Sequence, residues 1–135
     1  MIRTTDTKLL LAAGVFAMLF GALTILAGGR ALFGDEAARA AVGDAVPFVL
    51  IFNFAAGFVY VIAGVGLVAH RRWAARLSMV IALATALVFA AFAVHVASGG
   101  GFEMRTVAAM TLRTSVWIAI AIFAHRVFTR PARSP

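Results

Sequence analysis

The sequence predicts an all-α, four-helix transmembrane bundle in a single domain spanning residues 1–135, with both termini cytoplasmic. Three observations predict it. The chain is 64% hydrophobic and 13% charged, with a mean hydropathy of +1.03, whereas a soluble domain is about 45–50% apolar and ~25% charged. The apolar residues fall in four blocks, each about one bilayer crossing long and without strand-like alternation, and only helices or closed barrels satisfy the backbone in lipid. The basic residues gather at alternate block edges, which sets orientation across a membrane.

The first block covers residues 9–28 after a short polar start, MIRTTDTK. A basic start before an apolar run resembles a signal peptide, and Ala27-Gly28-Gly29 is a passable small-residue site. The run is longer than the ~7–15 residues of a signal core, so an uncleaved membrane helix is expected. Residues 30–45, RALFGDEAARAAVGDA, form a loop whose Ala-rich centre can make a short surface helix. Asp44 is expected to cap the next helix, with Pro47 in its first turn.

The second block covers 46–69 and the basic turn HRRWAAR follows it. The third covers 73–98 and stops at Gly99-Gly100-Gly101. FEMR leads into the fourth, 106–128, and the tail HRVFTRPARSP is basic. One side of the bundle thus holds Arg3, Lys8, Arg71, Arg72, Arg76, Arg126, Arg130 and Arg133. The other holds Arg30, Arg39 and Arg105, with Asp35, Glu36, Asp44 and Glu103 beside them. Basic loops stay cytoplasmic, which places the loops bearing Asp35 and Glu103 outside. A faint repeat pairs Thr24-Ile-Leu-Ala-Gly-Gly with His95-Val-Ala-Ser-Gly-Gly, so two tandem hairpins of like orientation are one reading. Compositional likeness of Ala/Gly-rich segments is the other.

Helical spacing assigns the inward faces. Leu10, Gly14, Ala17, Gly21, Thr24 and Gly28 share one face of the first helix, and Asn53, Gly57, Tyr60 and Gly64 one face of the second. Small residues mark close packing in membranes, and polar ones turn toward protein or water. On the third helix the stripe through His95 takes Ala84, Val88 and Ala91. On the fourth the stripe through Arg113 takes Thr106, Met110, Trp117 and Ile120, with Thr111 and Ser115 as a flanking polar pair.

Arg113 is the residue that most constrains function. It lies seven residues into its block, roughly 10 Å deep at ~1.5 Å per residue. A guanidinium there costs at least ~2–3 kcal/mol unless compensated. No acid lies within any of the four blocks. Either Arg113 reaches outward to Glu103, Asp44 or Asp35, or it holds an anionic group such as a carboxylate, phosphate or lipid headgroup, for which its planar fork is suited. Thr24, Asn53, His95 and Arg113 come from four different helices and fall at one level of the outer half. Ser78 and Thr85, in the inner half, are isolated.

Other chemistries are excluded or weakly carried. There is no cysteine, hence no disulfide, thiolate nucleophile or Cys-ligated metal. No glycine-rich phosphate loop occurs, and no intramembrane acid exists to orient a histidine for Ser/His/Asp catalysis. His95 with a distant Glu103 is too few ligands for a metal. Haem held by His70 and His125 would require them to meet across the core, whereas both sit in basic tripeptides suited to headgroups. The net charge of +7 reflects orientation rather than a nucleic-acid surface.

The leading expectation is therefore a non-enzymatic binding or transport protein of a bacterial-type inner membrane, without cofactor, metal or nucleic-acid partner. Its ligand would be anionic or amphipathic and lipid-like. The site would be lined by Arg113, Asn53, His95, Thr24, Thr111 and Ser115 and floored by Tyr60 and Trp117. Membrane lipid is the expected partner, and a homo-oligomer or a hetero-subunit the other possible ones. The alternatives are an accessory subunit, in which Arg113 pairs with another chain's acid, and a membrane enzyme using His95 and Glu103 on a lipid-like substrate.

Overall fold

The computed structural model describes residues 2–130; Arg133, counted above on the basic side, lies outside the described residues. Five α-helices carry the regular structure: α1 (Thr4–Phe33), α2 (Glu36–Val42), α3 (Pro47–Val68), α4 (Arg72–Ala97) and α5 (Met104–Thr129). All but α2 are long and apolar enough to cross a membrane, so the chain has the make-up of a transmembrane helix bundle.

Helix α1 is longer than its apolar block at both ends. Polar residues Thr4 to Thr7 build its first turn, where Asp6 meets the positive end of the helix dipole. At the other end the Gly28-Gly29 pair, where the apolar block was expected to end, lies inside the helix. Gly28 serves close packing instead, since a Cβ there would sit 3.0 Å from the Phe54 Cβ. The helix runs on to Gly34, whose N–H donates to the Arg30 carbonyl at 3.0 Å.

Helix α2 is the short helix expected within the first loop. Asp35 caps it, accepting from the Ala38 N–H at 2.9 Å. Asp44 does not cap α3. Pro47 occupies the first helical position and so makes Val46 the capping residue, which leaves Asp44 two residues too early. Its backbone N–H instead donates to Glu103 Oε1 at 2.9 Å.

Helices α1 and α3 pack antiparallel along most of their length. Two reciprocal glycine pairs set the distance. A Cβ on Gly64 would lie 2.6 Å from the Gly14 carbonyl oxygen, and one on Gly21 would lie 2.6 Å from that of Gly57. Backbones approach this closely only where no side chain intervenes. Helix α3 then contacts α4, and α4 contacts α5, while α5 closes back onto α1 through few contacts. The inward stripe read for α1 coincides with its buried residues, to which Asp6 is added. On α4 the buried face is Ala74, Ala75, Ser78, Ile81, Ala82, Thr85 and Phe92, not the stripe through His95.

The two hairpins do not repeat one another. Helix α4 ends at Ala97; Gly99 just beyond it has positive φ, and the N–H of Gly100 donates back to the His95 carbonyl at 2.9 Å. The equivalent glycines of α1 are mid-helix.

The apolar core is divided. A large cluster containing Leu10, Tyr60, Ile81 and Trp117 lies toward the termini. A smaller one, Val46, Val49, Phe92 and Met110, lies toward α2. On α3 the residue between the two is Asn53, and on α5 it is Arg113. A polar level therefore interrupts the core at one depth.

Candidate functional site

That level opens into a pocket of about 620 Å³, within the ~300–1,000 Å³ of small-molecule sites. Helix α1 contributes Thr24, Ala27, Gly28, Arg30 and Ala31, and α2 roofs it with Ala38, Ala41 and Val42. The start of α3 supplies Val46, Val49 and Asn53. The start of α5 and the residues before it supply Glu103, Arg105, Ala109 and Arg113.

Arg113 is the deep residue of the pocket on α5. One terminal guanidinium nitrogen (NH1) donates to Thr24 Oγ1 at 2.9 Å. Its Cζ stands 5.1 Å from the Phe20 ring centroid and 6.0 Å from that of Tyr60. Phe20 and Tyr60 are stacked on each other at 5.5 Å, and Tyr60 packs on Trp117 at 4.8 Å. The guanidinium thus rests on an aromatic bed. The only ion pair among the described residues is Asp6 with Arg130, at the far end of the bundle, so no carboxylate pairs with Arg113. The expected alternative of Glu103, Asp44 or Asp35 as its partner is not what the structure has: Glu103 is engaged by the Asp44 N–H and Asp35 by the cap of α2.

Four polar atoms around this bed are buried without a hydrogen-bond partner: Arg113 Nε, Asn53 Oδ1, Tyr60 Oη and Trp117 Nε1. Each such orphan costs ~1–3 kcal/mol. Buried polar atoms in native proteins are nearly always satisfied, so a cluster of four marks this level off from the rest of the interior.

Of the residues expected at the site, the structure gathers five and turns three away. Thr24, Asn53 and Arg113 line the pocket, and Tyr60 and Trp117 lie beneath them, fully buried. His95 is elsewhere. Its Nε2 lies 3.0 Å from the Gly101 carbonyl oxygen and its ring packs edge-on to Phe48 at 6.2 Å. The glycine turn after α4 folds the chain back over the imidazole, which helical periodicity does not foresee. Thr111 and Ser115 are exposed, and Thr111 bonds back to the Val107 carbonyl. Each is two residues from Arg113, which is about 200° around a helix with 3.6 residues per turn, so neither shares its face.

Ser78 and Thr85, in the other half of the bundle, are fully buried but donate to the Ala74 and Ile81 carbonyls of their own helix. Such back-bonding satisfies the hydroxyl locally, and no site forms there. Among the described residues no group of three His, Cys, Asp or Glu side chains is placed to hold a metal, and His70 and His125 are both exposed. Sequence reasoning overlooked Arg30 and Arg105 as pocket residues. Their signal was available, since both flank helix ends at the end of the bundle nearer Arg113.

Fold and site together define a small helical bundle of membrane-spanning proportions with a cation-lined pocket at the end opposite its termini. No known family model, curated protein or solved structure matches the chain.

Proposed function

We propose that this chain is a small integral membrane protein that binds or transports an anionic, lipid-like ligand in the pocket beneath α2. One observation carries the reading. Arg113, deep in the pocket, has a neutral hydroxyl and aromatic faces for company and no carboxylate. Arg30 and Arg105 share the pocket, and its one acid, Glu103, is already engaged. The balance of fixed charge favours an anion. By the distribution of Lys and Arg both termini are cytoplasmic, and the pocket belongs to the outer half of a bacterial-type inner membrane.

In this reading Arg113 clamps the acidic group, Asn53 orients it, and Tyr60 and Trp117 form the floor. His95 and Glu103, the acid–base pair of the enzymatic alternative, each contact backbone groups.

Native mass spectrometry of the purified protein tests the proposal. An acidic amphiphile should stay bound through detergent exchange, and Arg113→Gln should weaken it about ten- to a hundredfold, the worth of a hydrogen bond to a charged group. Arg113→Lys should retain part of the affinity. Equal retention by wild type and Arg113→Gln would remove the proposal. Co-purification of a second polypeptide, released by Arg113→Gln, would establish the accessory-subunit reading instead.

A further inference from the structure

We infer that the ligand is a membrane amphiphile with a phosphate-type headgroup, and that it enters sideways between α1 and α5 rather than past α2. This deepens the anion-binding reading and rests on it.

Helices α1 and α5 meet through few contacts. Two polar ties span the seam between them, Arg113 to Thr24 near the pocket and Arg130 to Asp6 near the termini. Where the two helices border the pocket they present small side chains, Ala27 and Ala31 on α1 and Ala109 on α5. Thr24 is also the residue that holds Arg113 across the gap. The same contact therefore closes the seam and occupies the guanidinium, and a ligand that takes over Arg113 loosens the seam as it binds.

The roof is tied down as well. Arg105 donates to the Ala41 carbonyl at 2.7 Å, and Glu103 accepts from the Asp44 N–H at 2.9 Å. Both bonds strap the α2 segment to the start of α5. Gly43, between them, lies against the Glu103 carboxylate so closely that a Cβ would overlap it. A solute passing α2 would meet these straps, whereas a molecule in the hydrocarbon meets the α1–α5 seam and its two ties.

The headgroup follows from the count of forks. Three arginines line the pocket against one carboxylate, Glu103, which accepts from the Asp44 N–H. A carboxylate offers two oxygens and saturates one bidentate guanidinium. A phosphate presents oxygens in several directions and can serve more than one. Arg113 holds donors in reserve, since its Nε is unpaired. A phosphate oxygen is a stronger acceptor for a cation than the Thr24 hydroxyl it would displace.

The test uses the full chain in lipid nanodiscs with dodecyl phosphate, dodecanoate and inorganic phosphate as probes. Dodecyl phosphate should bind at least tenfold more tightly than either of the others, and Arg113→Gln should abolish that preference. A dodecyl phosphate analogue with a diazirine in its alkyl chain should, on illumination, label peptides of α1 and α5 near Ala27 and Ala109. Inorganic phosphate binding as tightly as the amphiphile would overturn the membrane route while leaving an anion site at Arg113. Equal binding of dodecanoate would overturn the headgroup assignment. Labelling confined to α2 would overturn the sideways entry. If none of the three probes binds, the proposed function falls together with the inference.

Discussion

Arg113 shows how a cation is accommodated at depth without a carboxylate. Placing an arginine near the centre of a membrane helix costs ~2.5–3.5 kcal/mol on insertion scales. Against this, a hydrogen bond to a charged group contributes ~1.5–3 kcal/mol, and a desolvated cation–π contact ~0.5–2 kcal/mol. Thr24, Phe20 and Tyr60 supply both kinds. The two sides are of the same size, so Arg113 is tolerable where it stands and still has donors for a ligand. A different single residue carries strain. His70 has φ 56, in the left-handed region, at the turn after α3, where the Arg71 N–H reaches the Gly66 carbonyl at 2.8 Å. The corresponding turn after α4 uses Gly99. A non-glycine residue pays ~1–2 kcal/mol for this conformation. His70→Gly should therefore raise stability by about 1 kcal/mol, read as a higher Tm in detergent. An unchanged or lower Tm would show that the imidazole makes compensating contacts. Positive φ at position 70 was not legible in the sequence, because HRRW carries no glycine to announce it.

Among the elements, the α1–α3 pair is the most exactingly built. Its glycines were readable by spacing alone: the buried residues of α1 include Leu10, Gly14, Ala17, Gly21, Thr24 and Gly28, the face that the 3.6-residue period assigns. The partner of that face was not readable. Gly64→Ala would drive a methyl group to 2.6 Å from the Gly14 carbonyl oxygen, and Gly14→Ala would place one 2.7 Å from that of Gly64. Each should cost ~1–3 kcal/mol as an overpacked contact, measured by reversible unfolding in mixed detergent. The double variant should cost less than the sum, because one separation of the helices relieves both clashes. Gly29→Ala is the control. Its Cβ would meet nothing closer than 3.7 Å, so it should be neutral or stabilising by up to ~1 kcal/mol through helix propensity. Strict additivity of the Gly14 and Gly64 costs would argue against the reciprocal contact. Helix ends were less legible than faces. The glycine pair at 28–29 signals a stop, yet it is packed under Phe54 inside α1, whereas the pair at 99–100 does stop α4. The same dipeptide has two outcomes because a neighbouring helix covers one of them.

At the scale of the whole molecule, charge distribution makes its own prediction. The chain contains no cysteine, so single thiols report topology without background. In intact cells a membrane-impermeant maleimide should label Arg39→Cys directly and Thr129→Cys only after permeabilisation. The reverse pattern would invert the orientation and put the pocket on the cytoplasmic side. The arrangement of helices also explains why one end of the bundle has a site and the other does not. Near α2 the core is interrupted by Asn53 and Arg113 between two apolar clusters. In the other half the buried hydroxyls of Ser78 and Thr85 are satisfied on their own helix, and Asp6 is taken by Arg130 at 2.6 Å.

The number of long apolar helices, their inward faces on α1 and α3, and the presence of a lone cation at depth follow from the sequence, because each depends on composition or on a repeat of 3.6 residues. Which helices touch, where the chain turns after α4, and what meets Arg113 are tertiary facts. Thr24 and Arg113 are 89 residues apart, and His95 left the pocket for a carbonyl that a glycine turn carried to it. A local period sets the direction of a side chain around its own helix, but the partner it finds depends on where every other helix lies.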